Sequence, residues 1–223
     1  MVHSSKAKST TSVIGAGSWG TALAKLLADK GERVTLWGHN SSHMDALCRD
    51  RENRKYLPGA SLPSKLIPSD HLEVVTGSRC VVMVVPSHGF RRVFTSLVPY
   101  LQDGSLLVSA VKGIEIGSRQ TMTQVMMEEL QKAGREKAMQ VGVLSGPSFA
   151  DEVATEQPTA VTVGFSDTAA ARAIQHLFST SFFRVYTSTD VIGLEISAAM
   201  KNVIAIAAGI SVSYTHLTLP TKA

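Results

Sequence analysis

The stretch TSVIGAGSWGTALAKLLADKG, residues 11–31, constrains the fold more than any other part of this chain. It runs from a short apolar, β-branched segment through three glycines into a segment rich in alanine and leucine. Four apolar residues of that last segment recur at the spacing of one helix face: Ala22, Leu23, Leu26 and Leu27. Gly31 then supplies a stop signal. The pattern predicts a strand, a glycine-rich turn and a helix, in that order.

Strand-like and helix-like segments keep alternating as far as residue 190. The run VVMVV (81–85) is apolar throughout, as is typical of strands that helices cover on both faces. Other strands are expected at 12–14, 33–37, 105–111, 140–146, 159–165 and 182–188, and helices at 19–30, 41–57, 88–101, 118–134 and 168–180. Pro58, Pro63 and Pro68 indicate an irregular connection. The order predicts an α/β fold with a Rossmann-like, doubly wound, mostly parallel sheet.

Composition excludes several classes of function. The 223 residues carry a net charge of +4 without a long basic block, which disfavours nucleic-acid binding but suits a small anionic ligand. Cys48 and Cys80 lack metal-ligand spacing and are expected to be reduced thiols, with no bound metal. The polar N-terminus has no signal-peptide core, and no charge-free apolar run reaches 18 residues. A cytoplasmic protein without a membrane span is therefore expected.

The three glycines have distinct physical tasks in such a turn. Gly15 allows the tight turn, Gly17 lets a pyrophosphate approach the backbone, and Gly20 lets the helix pack closely on the strand. Ser18 and Trp19 lie where the chain enters the helix, whose free N–H groups favour phosphate. The pattern predicts a dinucleotide site, and a tight βα turn without a ligand is the alternative.

The end of the second strand is where the choice of cofactor is made. An acidic residue there would bind the ribose 2′-hydroxyl of NAD, but the sequence reads LWGHN, with His39 close to the expected position. A histidine or the arginines downstream of it favour a 2′-phosphate. NADP is therefore preferred over NAD, with tolerance of both as a further option. A surface histidine is the alternative interpretation of His39.

Three loops are expected to meet where parallel strands end. They are Pro86–His88, Lys112–Gly113 and Gly146–Ser148. A lysine, two hydroxyl groups and several glycine N–H groups suit a small oxygenated anion such as a phosphate ester. A solvated loop lysine is the alternative for Lys112.

Lys201 lies in ISAAMKNVIAIAAGI, an almost wholly apolar helix candidate. Lysine rarely occurs in such surroundings unless it snorkels or has a task, and a desolvated ammonium loses its proton more readily. The sequence therefore indicates a proton-transfer group, with Glu195 or Asn202 able to orient it or a substrate oxygen. A snorkelling lysine at a domain edge is the alternative.

The chain resembles the bacterial-type NAD(P)-dependent glycerol-3-phosphate dehydrogenases over residues 12–210. The segments that carry the resemblance are VIGAGSWGTALA, LWGHN, MVVPSHGF, VKGIE, LSGPSFADEV, PTAV, FRVYTSTDVIGLE and AAMKNVIAIAAGI, in this order. The resemblance implies reversible reduction of dihydroxyacetone phosphate by NAD(P)H to sn-glycerol 3-phosphate, a phospholipid precursor.

The resemblance also implies roles for individual residues. The implied cofactor contacts are Ser18, Trp19, His39 and Ala150, beside Gly15, Gly17 and Gly20 of the turn, and Lys112 is implied to lie between nicotinamide and substrate. The implied substrate contacts are Lys112, Gly146, Ser148 and Lys201. Lys201 is implied as the general acid that protonates the developing alkoxide, and as the base in the reverse direction. The cofactor supplies the hydride, and the protein orients it and handles the proton.

The chain departs from the resemblance after residue 210. The expected division is a dinucleotide-binding domain at 10–190, the first helix of an otherwise missing helical domain at 191–211, and a probable non-native tail, VSYTHLTLPTKA, at 212–223. Cofactor binding is expected to survive more easily than turnover. The apolar helix is expected to be an exposed patch prone to association, which is compatible with a homodimer.

Other classes of function stay open from the sequence. A related dehydrogenase of the ketopantoate reductase or β-hydroxyacid dehydrogenase type has the same layout. A non-catalytic NAD(P)-binding module is the alternative outside enzymes. A nucleic-acid-binding protein with this fold is disfavoured because the chain lacks a basic stripe.

Overall fold

A computed structural model describes residues 10–217 of the chain, and the side chains of residues 11–211. The strands are β1 Thr10–Ile14, β2 Arg33–Trp37, β3 Glu52–Asn53, β4 Leu57–Ser61, β5 Leu66–Ser69, β6 Ser78–Met83, β7 Leu106–Ser109, β8 Gln140–Ser145, β9 Thr159–Phe165 and β10 Phe183–Ser188. Eight of them form one sheet in the order β10-β9-β8-β7-β6-β1-β2-β5, and β3 pairs with β4 separately. The expected mostly parallel, doubly wound α/β fold is confirmed.

Helices cover both faces of this sheet. They are α1 Ser18–Asp29, α2 Ser41–Asp50, α3 Ser87–Leu97, α4 Met122–Lys132, α5 Ala150–Ala154, α6 Thr168–Phe178 and α7 Val191–Leu217. Neighbouring strand residues point to opposite faces, so Val82 belongs to the core under α1 and α6 while Val81 and Met83 belong to the core under α3 and α4. This two-sided burial explains why the strand is apolar throughout.

Strand direction changes once across the sheet. The six strands β5, β2, β1, β6, β7 and β8 all run parallel. Strand β9 runs antiparallel to β8, and β10 runs parallel to β9. The carboxyl ends of β9 and β10 therefore lie at the edge opposite to that of the other strands. Helix α7 starts at this opposite edge, where Val191 and Leu194 pack against Gly164 at the end of β9.

The predicted helix at 41–57 is wrong beyond Asp50. Asn40 caps α2, and Arg51 ends it in the left-handed conformation, with φ of 53°. The Arg51 guanidinium then donates to the carbonyls of Leu62, Pro63 and Leu66 and ties down the returning chain. The expected irregular connection contains β4 and β5, and both of its strand prolines lie on edge strands, where a missing N–H is tolerated.

Other element boundaries shift by smaller amounts. Helix α4 starts after Thr121, which forms a capping box with Gln124, and so begins later than the predicted start at residue 118. The predicted strand at 81–85 is observed as β6, and the short helix α5 was not predicted. Helix α7 runs on to Leu217, beyond the expected end at 211, and residues 218–223 of the predicted tail lie outside the described residues.

Helix α7 has two contrasting halves. Its first half packs on the sheet and buries Glu195 and Ala198, whereas Val203, Ile204, Ile206 and Ile210 in its second half are exposed, as expected of an unpartnered helix. By length and composition alone, Val191–Ser211 could cross a membrane, with a mean hydropathy of 1.6. A single helix of this kind is weak evidence of a span, because core helices of soluble proteins meet the same criterion.

Candidate dinucleotide cleft and lysine pair

A cleft of about 640 Å³ opens where the strand order reverses, at β1 between β2 and β6. Ligands of open α/β sheets bind at this switch point, beyond the carboxyl ends of the strands. The lining comes from the glycine loop, the end of β2, the start of α2, the β3–β4 turn and the end of β6. It includes six of the predicted cofactor residues, namely Gly15, Gly17, Ser18, Trp19, Gly20 and His39.

Two of the glycines are required by the packing of the turn. Gly15 has φ of +127°, and its N–H donates to the carbonyl of Trp37 at 2.9 Å. A Cβ on Gly15 would lie 2.7 Å from the carbonyl oxygen of Val84, and one on Gly20 would lie 1.9 Å from the carbonyl oxygen of Gly15. Gly15 therefore makes the tight turn predicted for it, and Gly20 lets α1 approach the turn and Val84 of the β6 end closely, as predicted.

The third glycine faces open space. A Cβ on Gly17 would have no neighbour within 4 Å. Gly17 is also the N-cap of α1, where no side chain caps the helix and no acidic residue lies in the first turn. Ser18 is exposed and Trp19 is partly buried beside it. Uncapped N–H groups and an open approach fit a pyrophosphate, so the loop fits a dinucleotide.

Asn53 fixes the glycine loop by hydrogen bonds, and this role was not predicted from the sequence. It is fully buried, and its Nδ2 donates to the carbonyl of Ala16 at 3.1 Å and to Oγ1 of Thr21 at 2.8 Å. Its Oδ1 accepts from the backbone N–H of Tyr56 at 3.2 Å. Asn53 thereby links the β3–β4 turn to the glycine loop. Its neighbours in the sequence carry no motif, and the segment lies in the predicted helix at 41–57.

The wall beyond β2 is basic and aromatic. His39, His43, Lys55 and Tyr56 line it, and the last three were not predicted as site residues. His43 packs edge-on against the Tyr56 ring with centroids 5.3 Å apart, and Lys55 Nζ lies 4.8 Å from the same ring. Burial lowers the pKa of His43, and the positive charges of Lys55 and His39 lower it further. The hydrogen bond with the Ala16 backbone has the opposite effect on this pKa.

The loops that follow β6, β7 and β8 meet at one edge, as expected. A Cβ on Gly113 would lie 3.1 Å from Oγ of Ser87, so these two loops touch. Ser148 is buried, and its hydroxyl donates to the carbonyl of Gly146 at 3.4 Å. Gly146 itself packs against β9, where a Cβ would lie 2.8 Å from the carbonyl of Ala160.

Lys112 and Lys201 come together at this edge. Burial lowers the pKa of Lys112, and the positive charge of Lys201 adds to the effect. Lys201 Nζ lies 4.6 Å from the centroid of the Phe149 ring, in a cation–π contact. Lys112 and Ala150 lie outside the lining of the cleft, and their contacts with a cofactor stay predictions.

Two expectations about the surroundings of Lys201 are wrong. Glu195 does not orient it, because the Glu195 carboxylate is buried on α4, where it accepts from the Thr123 backbone N–H at 2.9 Å and from the Thr123 hydroxyl. The expected apolar shielding is also missing: Lys201 is half-buried, and Val203 and Ile204 after it are exposed. Asn202 is exposed.

An ion-pair network fixes the Lys112 loop. Arg91 on α3 forms a bidentate pair with Glu115, with N–O distances of 2.9 and 2.6 Å, and also contacts Glu129 on α4 at 2.6 Å. The hydrogen bonds from Arg91 and Ser118 hold the pKa of Glu115 below its usual range. Glu115, three residues after Lys112, is thereby tied to α3 and, through Arg91, to α4.

A glycine loop of this geometry at the switch point, with a lysine pair at the same sheet edge, defines the nucleotide-binding domain of an NAD(P)-dependent dehydrogenase. A family model described as the NAD-dependent glycerol-3-phosphate dehydrogenase N-terminus matches residues 10–171, and the chain belongs to this family. The resemblance found in the sequence is confirmed.

Individual relatives agree with this assignment. The glycerol-3-phosphate dehydrogenase (NAD(P)+) of Desulfotalea psychrophila is 59% identical over 200 residues, and that of Geobacter sulfurreducens is 50% identical over 200 residues. Each alignment covers 89% of this chain and 59% of the relative. The crystal structure of glycerol-3-phosphate dehydrogenase from Coxiella burnetii matches with a TM-score of 0.83 and 34% identity, over 95% of this chain and 63% of that one. The chain thus spans about three fifths of the length of these relatives.

Proposed function

We propose that this chain binds NAD(P)H in the cleft and is the cofactor-binding part of a glycerol-3-phosphate dehydrogenase, which reversibly reduces dihydroxyacetone phosphate to sn-glycerol 3-phosphate. The observation that carries the proposal is the glycine loop. Gly15 and Gly20 are closed by backbone packing, while the approach to Gly17 and the first turn of α1 is open. Backbone N–H groups of that turn, with Ser18, would hold the pyrophosphate.

The lysine pair supports a role in catalysis at the carboxyl edge of the sheet. A bound nicotinamide would supply the hydride. Lys201 would then donate a proton to the developing alkoxide and take it back in the reverse direction. Lys112, whose pKa is lowered beside it, would bind the substrate, and two ammonium groups match a phosphate ester in charge. Gly146 and Ser148, on the neighbouring loop, are the remaining proposed substrate contacts.

A second candidate function is a non-catalytic NAD(P)-binding module. The observation that favours it is the exposure of the α7 residues around Lys201, since water there weakens the electrostatic control on which proton transfer depends. This candidate shares the cleft with the first and differs only in turnover. In either case we propose a cytoplasmic protein of glycerophospholipid precursor metabolism, with the exposed half of α7 as the surface for a homodimer.

Titration with NADPH, followed by an oxidation assay on the same sample, separates these candidates. NADPH fluorescence reports binding, and dihydroxyacetone phosphate is then compared with ketopantoate and a β-keto acid. Oxidation with dihydroxyacetone phosphate alone supports the dehydrogenase. Binding without oxidation supports the module, and oxidation with one of the other acids supports a related dehydrogenase. Absence of NADPH binding would overturn all of these.

Two lysine variants test the proton-transfer step. Lys201→Ala is expected to lower the oxidation rate about 10²–10⁴-fold while NADPH binding persists. The matched control is Lys137→Ala, because Lys137 is exposed on the connection between α4 and β8, far from the proposed site. Equal rates in both variants would remove Lys201 from the mechanism.

A further inference from the structure

We propose that Lys55 and His43 complete, with His39, a subsite for the 2′-phosphate of NADP(H), and so determine which dinucleotide the chain prefers. The inference rests on the proposed function, since it assumes a dinucleotide in the cleft. It adds two specificity-determining residues from α2 and the β3–β4 turn, neither of which the glycine motif indicates.

The first support is the position and composition of the wall. In this fold the ribose of the adenosine half lies beyond the end of β2, where an acidic residue binds the 2′-hydroxyl of NAD. Among the described residues, no aspartate or glutamate lines this cleft. The polar residues that line it beyond β2 are His39, Asn40, Ser42, His43, Lys55 and Tyr56. Such a wall offers donors and positive charge to an anion, and no carboxylate that would repel it.

The second support is that the downstream arginines, which the sequence had suggested for this task, are engaged elsewhere. Arg49 pairs with Asp50 at 2.9 Å, and Arg54 pairs with Glu52 at 3.4 Å. Arg51 donates to backbone carbonyls of the following loop. Lys55, in contrast, forms no ion pair with a carboxylate among the residues that the structure describes, and its ammonium lies over an aromatic ring at the cleft. It is the cation of this segment that is available to a ligand.

The third support is electrostatic. Lys55 and His39 both lower the pKa of His43, so each lies close enough to His43 to disfavour its charged form. A phosphate dianion bound beside them would favour the charged form of His43 and would attract the Lys55 ammonium. A ribose hydroxyl would not, because it carries no charge.

The fourth support is that the subsite is held at a fixed distance from the pyrophosphate loop. Asn53 lies two residues before Lys55 and donates to Ala16 in the glycine loop. The β3–β4 turn therefore cannot move independently of the loop that would hold the pyrophosphate. A subsite that is already held in place loses little conformational entropy when the 2′-phosphate binds.

Calorimetric titration of the whole chain tests the subsite. The ligands are NADPH and NADH, and then 2′,5′-ADP and 5′-AMP, which differ by the 2′-phosphate. The variants are Lys55→Met, His43→Gln and the double variant, with Lys137→Met as the control that removes one positive charge elsewhere. Both Lys55 and Lys137 are exposed, so neither change should affect folding.

We expect Lys55→Met to weaken NADPH and 2′,5′-ADP binding about tenfold, which is the loss of one charge-assisted contact. NADH and 5′-AMP should change less than twofold, and Lys137→Met should leave all four affinities unchanged. Equal affinity of the unaltered chain for NADPH and NADH, or equal losses for both in Lys55→Met, would overturn the subsite while leaving the proposed function intact. Binding of neither dinucleotide would overturn the proposed function and the subsite with it.

Discussion

Replacing Glu195 tests how α7 is held on the nucleotide-binding domain. Its carboxylate is only 3% exposed, and it accepts two hydrogen bonds from Thr123 at the N-terminus of α4. In Glu195→Ala, the Thr123 N–H would be buried without a partner, at a cost of about 1–3 kcal/mol. Loss of a negative charge at a helix N-terminus adds about 0.3–1 kcal/mol. The free energy of unfolding should therefore fall by about 1–4 kcal/mol.

The conservative variant separates charge from shape. In Glu195→Gln the amide oxygen can still accept from the Thr123 N–H, and the amide nitrogen can donate to the hydroxyl. The change then removes the charge assistance and the helix-dipole interaction, which together amount to about 1–2 kcal/mol. Urea denaturation followed by far-ultraviolet circular dichroism measures both variants, and the exposed Glu152→Gln provides a matched control.

A double-mutant cycle identifies the partner. Thr123→Val removes the hydroxyl but keeps the backbone N–H, so Glu195→Gln should cost less in that background, with a coupling free energy of about 0.5–1.5 kcal/mol. If Glu195→Ala lowered the unfolding free energy by less than about 0.5 kcal/mol, or if the coupling were absent, the carboxylate would not be what anchors α7.

Three further outcomes follow from single positions. Gly20→Ala places a Cβ 1.9 Å from the Gly15 carbonyl oxygen and should destabilise the chain by about 1–3 kcal/mol in urea denaturation. In Gly17→Ala the added Cβ meets nothing within 4 Å, so stability should be kept while NADPH affinity in a fluorescence titration is lost. Equal stability of the two variants would contradict this prediction. Burial raises the pKa of Cys80 to about 12, so a thiol reagent at neutral pH should label one cysteine per native chain, the exposed one, and the second only after unfolding. Since the pKa of Lys112 is lowered, more of it is neutral at mildly alkaline pH, and mass spectrometry should find it acylated faster than other exposed lysines such as Lys137; a slower rate would refute the lowered pKa.

Local patterns in the sequence predicted the structural elements that depend on contacts between residues close together in the chain. The tight turn at Gly15 and the close approach at Gly20 follow from one local structure, so a single strand–turn–helix pattern was enough to predict them. The alternation of apolar runs was enough to predict a mostly parallel sheet. The reversal of β9 was not predictable in this way, because a buried strand has the same apolar composition in either direction.

The contacts that were missed join residues far apart in the chain. Asn53 reaches back 37 residues to Ala16, and Glu195 reaches back 72 residues to Thr123. Neither partner is marked by spacing, and a buried carboxylate in an apolar helix is as compatible with catalysis as with anchoring. The same limit applies to Lys55, which lies in a stretch of mixed charge and which only the fold of the β3–β4 turn brings to the cleft.

The reversed strands explain how Lys201 can reach the site at all. Because β9 and β10 run opposite to their neighbours, the chain leaves β10 at the edge of the sheet away from the cleft, and α7 begins there beside Gly164. From Val191 to Lys201 the helix rises about 15 Å, comparable to the roughly 20 Å length of the six-residue strand β8. Its first half therefore crosses the sheet and delivers Lys201 to Phe149, just past the end of β8. Had β10 been parallel to β8, α7 would have started at the cleft edge, and a helix packed back along the sheet would have carried Lys201 about 15 Å away from that edge.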